Sequence, residues 1–205
     1  MSLKGTNPGE EYLEIVGQSD SPVNITGWKV TGSNGASAVI PQGTATFMSG
    51  RVNETKDIYL GRGDRAIIVS GNSPVGNSFR VNSCSGYLAE FQDFTPKLKD
   101  ACPSPLVANS SGKYSLDSTC LDYINNMDSC ETPTSALPKK LTASCRDFIL
   151  THTTYNTCAE DSRSNADFYK NEWRVYLNKK EELWGDRDTI KLYDKNNNLI
   201  GTYAY

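Results

Sequence analysis

Six cysteines, one histidine and 24 carboxylate side chains are the groups of this 205-residue chain best suited to bind metals or to do acid–base and nucleophilic chemistry. In DKNNN, Asp194, Asn196 and Asn198 stand at alternate positions, as the oxygen ligands of a calcium loop do. That loop also wants Gly at its sixth position and Glu at its twelfth. Leu199 and Tyr205 occupy those places, so the stretch reads as a hairpin turn. His152 follows Cys145 by about 10 Å along a helix axis. That is too far for a nucleophile–base hydrogen bond, and His152 reads as a surface or helix-end histidine. Arg62-Gly63-Asp64 is the tripeptide that integrins grip, but Gly61, Gly63 and Asp64 are also what a turn into the apolar run Ala66–Val69 requires. The turn is the simpler reading. The chain has no Cys-x-x-Cys pair for zinc and no glycine-rich phosphate motif. A carboxylate pair for hydrolysis can always be assembled from 24 acids, yet the sequence nominates none. No cofactor, metal or catalytic residue is assigned.

The cysteines carry the strongest signal. Cys84, Cys102, Cys120, Cys130, Cys145 and Cys158 all lie in the middle of the chain, with none in the first 83 residues or the last 47. An even number clustered in a polar segment reads as a disulfide framework formed in an oxidising compartment. In CLDYINNM, Cys120, Leu121, Ile124 and Met127 fall near helical spacing, with Ser118 or Asp117 as cap. In LTASCRDFILTH, Leu141, Cys145, Phe148 and Ile149 share a face behind a Thr142 cap. SNADFYKNEW suggests a further short helix. If the two main helices form an antiparallel hairpin, the end of one meets the start of the other. The expected bridges are then Cys130–Cys145, Cys120–Cys158 and, as remainder, Cys84–Cys102, each stabilising by roughly 2–4 kcal/mol.

Positioning these groups falls to short strands on either side. EYLEIVG, VNITGWKVTG, SAVIP, ATF, DIYL and RAIIVSG precede the cysteines, and EWRVYL, DTIKLYD and LIGTYAY follow them. Ser, Asn, Gly and Pro punctuate the runs, a pattern of β-sandwiches. The formal net charge of −3 argues against a duplex-DNA partner. No apolar run is long enough to span a membrane. Met1-Ser2-Leu3-Lys4 lacks the apolar region of a signal peptide and reads as a start joined to a fragment, with any export signal upstream. Asn24, Asn53 and Asn109 open glycosylation sequons that matter only in a eukaryotic secretory route. Aromatic residues are dense in and near the cysteine-rich segment: Tyr87, Phe91, Phe94, Tyr123, Phe148, Tyr155, Phe168, Tyr169 and Trp173. They could make a sugar- or peptide-binding platform, though sealing the segment is the commoner use. Trp28 and Trp184 read as core or core-edge residues.

Three stretches together, EYLEIVGQSDSPVNITGWKVTGSNG, GRGDRAIIVSG and ELWGDRDTIKLYDKNNNLIGTYAY, resemble the lamin tail domain. The resemblance rests on Gly27 and Trp28, on Gly63 before the apolar strand, and on Trp184, Gly185, Asp188, Leu192 and Asp194 leading into the last hairpin. It covers roughly half of the chain, within the size of one sandwich domain. It implies a mainly β fold: an immunoglobulin-like β-sandwich of residues 8–77 and 171–205, interrupted by a disulfide-stapled α-helical insertion of residues 78–170. The insertion resembles a variant found in exported bacterial lamin-tail proteins. What the resemblance implies for function is a non-catalytic, extracytoplasmic binding or anchoring module of a larger surface or secreted protein. Its partner would be a protein or a cell-envelope glycan, with specificity carried by the insertion; oligomeric state stays open. The alternatives are an accessory domain of a secreted hydrolase, a carboxylate-dependent hydrolase itself, or, through the link of lamin tails to chromatin, a nucleic-acid module that the acidic total disfavours.

Overall fold

The computed structural model describes residues 8–184 and 188–204. Its strands are β1 (Tyr12–Val16), β2 (Val23–Asn24), β3 (Lys29–Thr31), β4 (Ser37–Val39), β5 (Tyr59–Leu60), β6 (Arg65–Val69), β7 (Phe79–Asn82), β8 (Tyr169–Tyr176), β9 (Thr189–Tyr193) and β10 (Leu199–Ala204). Its helices are α1 (Gly86–Ala89), α2 (Ser118–Asn125), α3 (Ala143–His152) and α4 (Tyr155–Ser162), with a 3-10 turn over Pro105–Asn109. The fold is mainly β, with several sheets and three disulfides. Two compact units are formed. One contains the described residues of Met1–Phe47, Val52–Val81 and Asn171–Tyr205; the other contains Met48–Arg51 and Asn82–Lys170.

In the first unit one sheet runs β1-β6-β8-β7 and a second runs β10-β9-β3-β4, while β2 and β5 pair separately. β1 is antiparallel to β6, but β6 and β8 are parallel. Parallel neighbours need a long crossover, and the chain from Val69 to Tyr169 supplies it. Inward-facing residues of both four-stranded sheets meet in one core: Val30, Ala38 and Ile190 from one, Ala66, Ile68 and Val175 from the other. VNITGWKVTG is not a single strand. Gly27 sits at φ +82°, a conformation that only glycine adopts without strain, and its turn splits β2 from β3. Lys195 lies across it, so an added Cβ would meet Lys195 Cε at 2.9 Å. ATF forms no strand either; just before it, Gly43 and Thr44 make isolated bridges to Lys56 and Phe79.

Glu11 is almost wholly buried, and accepts hydrogen bonds from the Ser70 hydroxyl and from the backbone N–H groups of Leu183 (3.1 Å) and Trp184 (3.0 Å). Burial pushes its pKa above the ordinary 4.5, and the three donors pull it only part of the way back. The folded state therefore holds this proton more tightly than the unfolded chain. The resulting stabilisation is complete below about pH 4.5 and is lost as pH rises through the folded-state value. Trp28, Trp173 and Trp184 all lie in this unit, so tryptophan emission follows its unfolding. The urea midpoint of the native chain is expected to fall as pH rises above 4.5, and Glu11→Gln to flatten that slope. Equal slopes for the two proteins would contradict this.

In the second unit Asp117, not Ser118, caps α2, its carboxylate accepting from Cys120 N at 2.9 Å. Thr142 caps α3 and Thr154 caps α4 through the same kind of bond. A small core gathers Cys120, Ile124, Leu141, Cys145, Phe148 and Ile149. SNADFYKNEW is not helical: turns occupy its start and β8 begins at Tyr169. The extra helix lies earlier, at α4. The Met48–Arg51 loop joins this unit because the Asn156 side chain both accepts from Ser49 N (2.8 Å) and donates to Ser49 O (2.9 Å).

All six cysteines are bonded, but as Cys84–Cys158, Cys102–Cys130 and Cys120–Cys145. The expected Cys130–Cys145, Cys120–Cys158 and Cys84–Cys102 pairs are corrected, and the reason is geometric. α2 ends at Asn125, so Cys130 is not at its far end but in the connector, at φ +60°. That connector runs from Asn126 to Thr142 and contains Pro133 and Pro138. It is long enough to bring the start of α3 back beside the start of α2, rather than turning tightly at its end. The two N-terminal turns therefore share a bridge.

Candidate functional site

A cleft of about 420 Å³ opens beside the Cys102–Cys130 bridge in the cysteine-rich unit. α1 and the loop after it, Glu90–Asp100, form one wall, and the ridge Asp128–Glu131 forms the other. The buried Phe94 and Leu98 give it apolar lining. Its rim carries five carboxylates, those of Glu90, Asp93, Asp100, Asp128 and Glu131, against one ammonium, Lys97. Five negative charges and one positive leave −4 on the cleft, while the whole chain sums to −3. A second cleft of about 230 Å³ lies on the other flank of the ridge, lined by Tyr87, Pro103, Pro105, Ile124 and Met127.

The ridge is held from three sides. The Cys102–Cys130 bridge ties it to the loop before the 3-10 turn. Ser129 Oγ accepts from Cys102 N at 2.9 Å. Glu131 Oε2 accepts from Asp128 N at 3.0 Å, and Glu90 Oε1 reaches across to Thr132 N at 2.8 Å. Two of the five carboxylates thus bracket the ridge, while Asp93, Asp100 and Asp128 stay exposed. Burial first, and then the negative charges of Glu90 and Glu131, push the Tyr87 phenol up to about 12. Tyr87 therefore stays neutral beside the acidic rim across the physiological range.

Gly86 makes this packing possible. A Cβ there would lie 2.2 Å from Cys130 Sγ and 3.0 Å from Cys102 Sγ. Gly86→Ala must push α1 away from the ridge or strain the bridge, at a cost of roughly 1–3 kcal/mol. Among the described residues α1, α2, α3 and α4 all lie in this unit, so a urea titration followed by the helical circular-dichroism signal reads the loss. An unchanged midpoint would show that the ridge yields freely.

The other sequence candidates fall elsewhere. Gly63 (φ +82°) and Asp64 form the turn into β6, with Asp64 Oδ2 accepting from Gly61 N at 2.8 Å and Gly63 N donating to Gly17 O at 3.0 Å. Arg62 pairs with Asp20 at 2.5 Å on the surface. Trp184 is buried, while Trp28 and Leu192 pack partly buried against the first unit's core. Asp188 is buried and accepts from Ser33 N (2.8 Å) and Thr189 N (2.6 Å), fixing the β3–β4 turn. Gly185 lies outside the described residues. Asp194 accepts from the backbone of Asn196 and Asn198 and from the Asn198 side chain, each at 2.8 Å. These bonds, the Asn198 side chain foremost, hold its pKa below the ordinary value. The carboxylate is spent on its own hairpin. Among the described residues no group of His, Cys, Asp and Glu could hold a metal ion.

Of the two positions expected for His152, a surface or a helix end, the structure shows the helix end. The residue is buried at the end of α3, with Nδ1 2.7 Å from Asp161 Oδ2 and Nε2 3.1 Å from the Tyr114 hydroxyl. Its ring also packs on Phe148 at 4.7 Å. Sequence spacing to Cys145 could not reveal these partners, because they come from α4 and from the loop before α2. Most aromatics of the unit are likewise buried, including Tyr87, Phe94, Phe148, Tyr155 and Phe168; Phe91 and Tyr169 are exposed. Among the described residues no helix is long and apolar enough to cross a membrane. No family model, no curated protein and no solved structure matches the chain.

Proposed function

We propose that the chain is a non-catalytic, extracytoplasmic binding module of a larger surface or secreted protein, and that the acidic cleft of its cysteine-rich unit takes a cationic segment of a partner protein. The observation that carries this reading is the pairing of an apolar lining, Phe94 and Leu98, with a rim of net charge −4 on a disulfide-braced frame. Lys and Arg have an apolar stem and a charged head, and match both parts. Bracing lowers the ordering cost of binding. Three disulfides support an oxidising, extracytoplasmic setting.

The scaffold fits an immunoglobulin-like sandwich of lamin-tail type. In support stand the core shared by two four-stranded sheets, the Gly27 turn before Trp28, the Gly63 turn into β6 and the Asp194 hairpin. The parallel pairing of β6 with β8 is the departure, since immunoglobulin sheets are antiparallel. The test is binding of the intact protein to Lys/Arg-rich, neutral and acidic peptides of equal length. Basic peptides are expected to bind best, with affinity falling as salt rises. Asp93→Asn with Asp128→Asn should weaken them. Equal binding of acidic peptides, or none above background, would overturn the reading.

A further inference from the structure

The outward face of the β10-β9-β3-β4 sheet has the opposite character to the cleft. Its four strands, LIGTYA, TIKLY, KVT and SAV, contain no Asp or Glu, although the chain as a whole is acidic. Register places Lys29 opposite Tyr193 and Thr31 opposite Lys191, so both lysines stand on one face of adjacent strands, diagonal to each other. Thr31 is in turn opposite Ser37 on β4, which adds a second row of hydroxyls. These residues line an open hollow of about 570 Å³ together with Thr189.

The two cations are held differently. Lys29 Nζ lies 5.0 Å from the centre of the Tyr193 ring and donates to Asn197 Oδ1 at 2.7 Å. An ammonium has three donors, so the ring and the amide hold Lys29 in place and leave it donors for a ligand. Lys191 is exposed, and no carboxylate among the described residues pairs with it. One positioned cation, one free cation and flanking hydroxyls on a flat sheet match a polymer that alternates anionic groups with hydroxyls.

We infer that this sheet face binds an anionic polysaccharide, with Lys29 and Lys191 contacting its carboxylates and Thr31, Ser37 and Thr189 its hydroxyls. Charge complementarity selects the polyanion. Hydroxyl density and the small number of cations select a glycan over nucleic acid, whose binders typically make about 6–10 phosphate contacts. This inference does not depend on the acidic cleft.

The experiment is affinity electrophoresis of the intact protein in gels containing alginate, a polyuronate, with neutral dextran and duplex DNA as comparison probes. Alginate is expected to retard the protein, dextran not to, and retardation to shrink as salt rises. Lys29→Gln with Lys191→Gln should weaken alginate binding roughly tenfold, and the paired Arg replacements should retain it. Tryptophan emission checks that both double variants stay folded. Asp93→Asn with Asp128→Asn, in the cleft, should leave alginate binding intact. No retardation by alginate, equal retardation by dextran, tighter binding of DNA, or a Gln variant that binds as the parent does would each overturn the proposal.

Discussion

Replacing Cys84 and Cys158 together by alanine is expected to cost the cysteine-rich unit roughly 4 kcal/mol in the otherwise oxidised protein. Among the three bridges this one spans the longest stretch, 74 residues against 28 and 25 for the others. The entropy withheld from the unfolded chain grows with the logarithm of loop length. For 74 residues alone that gives about 4.5 kcal/mol. The other two bridges lie inside the loop and shorten the path around it, which trims the figure by about half a kcal/mol. Both sulfurs are buried, Cys84 at 0% and Cys158 at 5% exposure, so packing loss adds to the cost. The helical circular-dichroism signal in urea, under non-reducing conditions, is the readout. A loss below about 1 kcal/mol would show that the other bridges already confine the unfolded chain.

That bridge also marks where the sequence stopped being readable. Its strands and capped helices were legible because local chemistry decides them. Alternation in EYLEIVG and DTIKLYD became β1 and β9, and Thr142 capped α3 where a threonine ahead of an apolar stripe should. Pairing of Cys84 with Cys158 depends instead on where a 74-residue excursion returns, and no local rule fixes that. The connector between α2 and α3 decided the other two pairs. Its length, not the helix register, set which ends met. The candidate cleft was hidden for the same reason. Glu90 and Asp93 lie on one segment and Asp128 and Glu131 on another, and the Cys102–Cys130 bridge together with the Glu90–Thr132 hydrogen bond makes them facing walls. The sheet face was half legible. Lysines and hydroxyls in its strands are plain in the sequence, but the strand bounds that leave out Asp188 and Asp194 and the register that sets Lys29 and Lys191 on one side are not. His152 shows the other limit: its place at a helix end was legible, but its partners, a carboxylate from α4 and a phenol from the loop before α2, were not.

Charge placed inside the first unit gives the other large expected effect. Arg174 on β8 is 3% exposed, and its Nε donates to Glu172 Oε1 at 2.6 Å. Glu172, 11% exposed, also accepts from Arg65 Nε at 2.8 Å, and Arg65 reaches Glu14 on β1 at 3.6 Å. Register explains the cluster, because Arg65 is directly opposite Glu172 in the parallel pair. One carboxylate therefore bridges a nearly buried guanidinium and a half-exposed one. Removing it takes a carboxylate away from the Arg174 guanidinium in a site water hardly reaches, and breaking a buried pair from one side costs about 3–5 kcal/mol. Glu172→Ala is expected to lose that much, read by tryptophan emission in urea. Arg65→Ala should lose far less, since its exposed charge is solvated and its partner keeps Arg174. The decisive comparison is the double replacement Glu172→Leu with Arg174→Met. If the cost of the single change comes from a buried Arg174 charge deprived of the Glu172 carboxylate, the double variant recovers most of it, because well-packed apolar groups can replace a buried ion pair at little cost. If the double variant is as unstable as Glu172→Ala, the network is holding β6 to β8 by its hydrogen bonds, and the parallel pairing that closes the crossover depends on it.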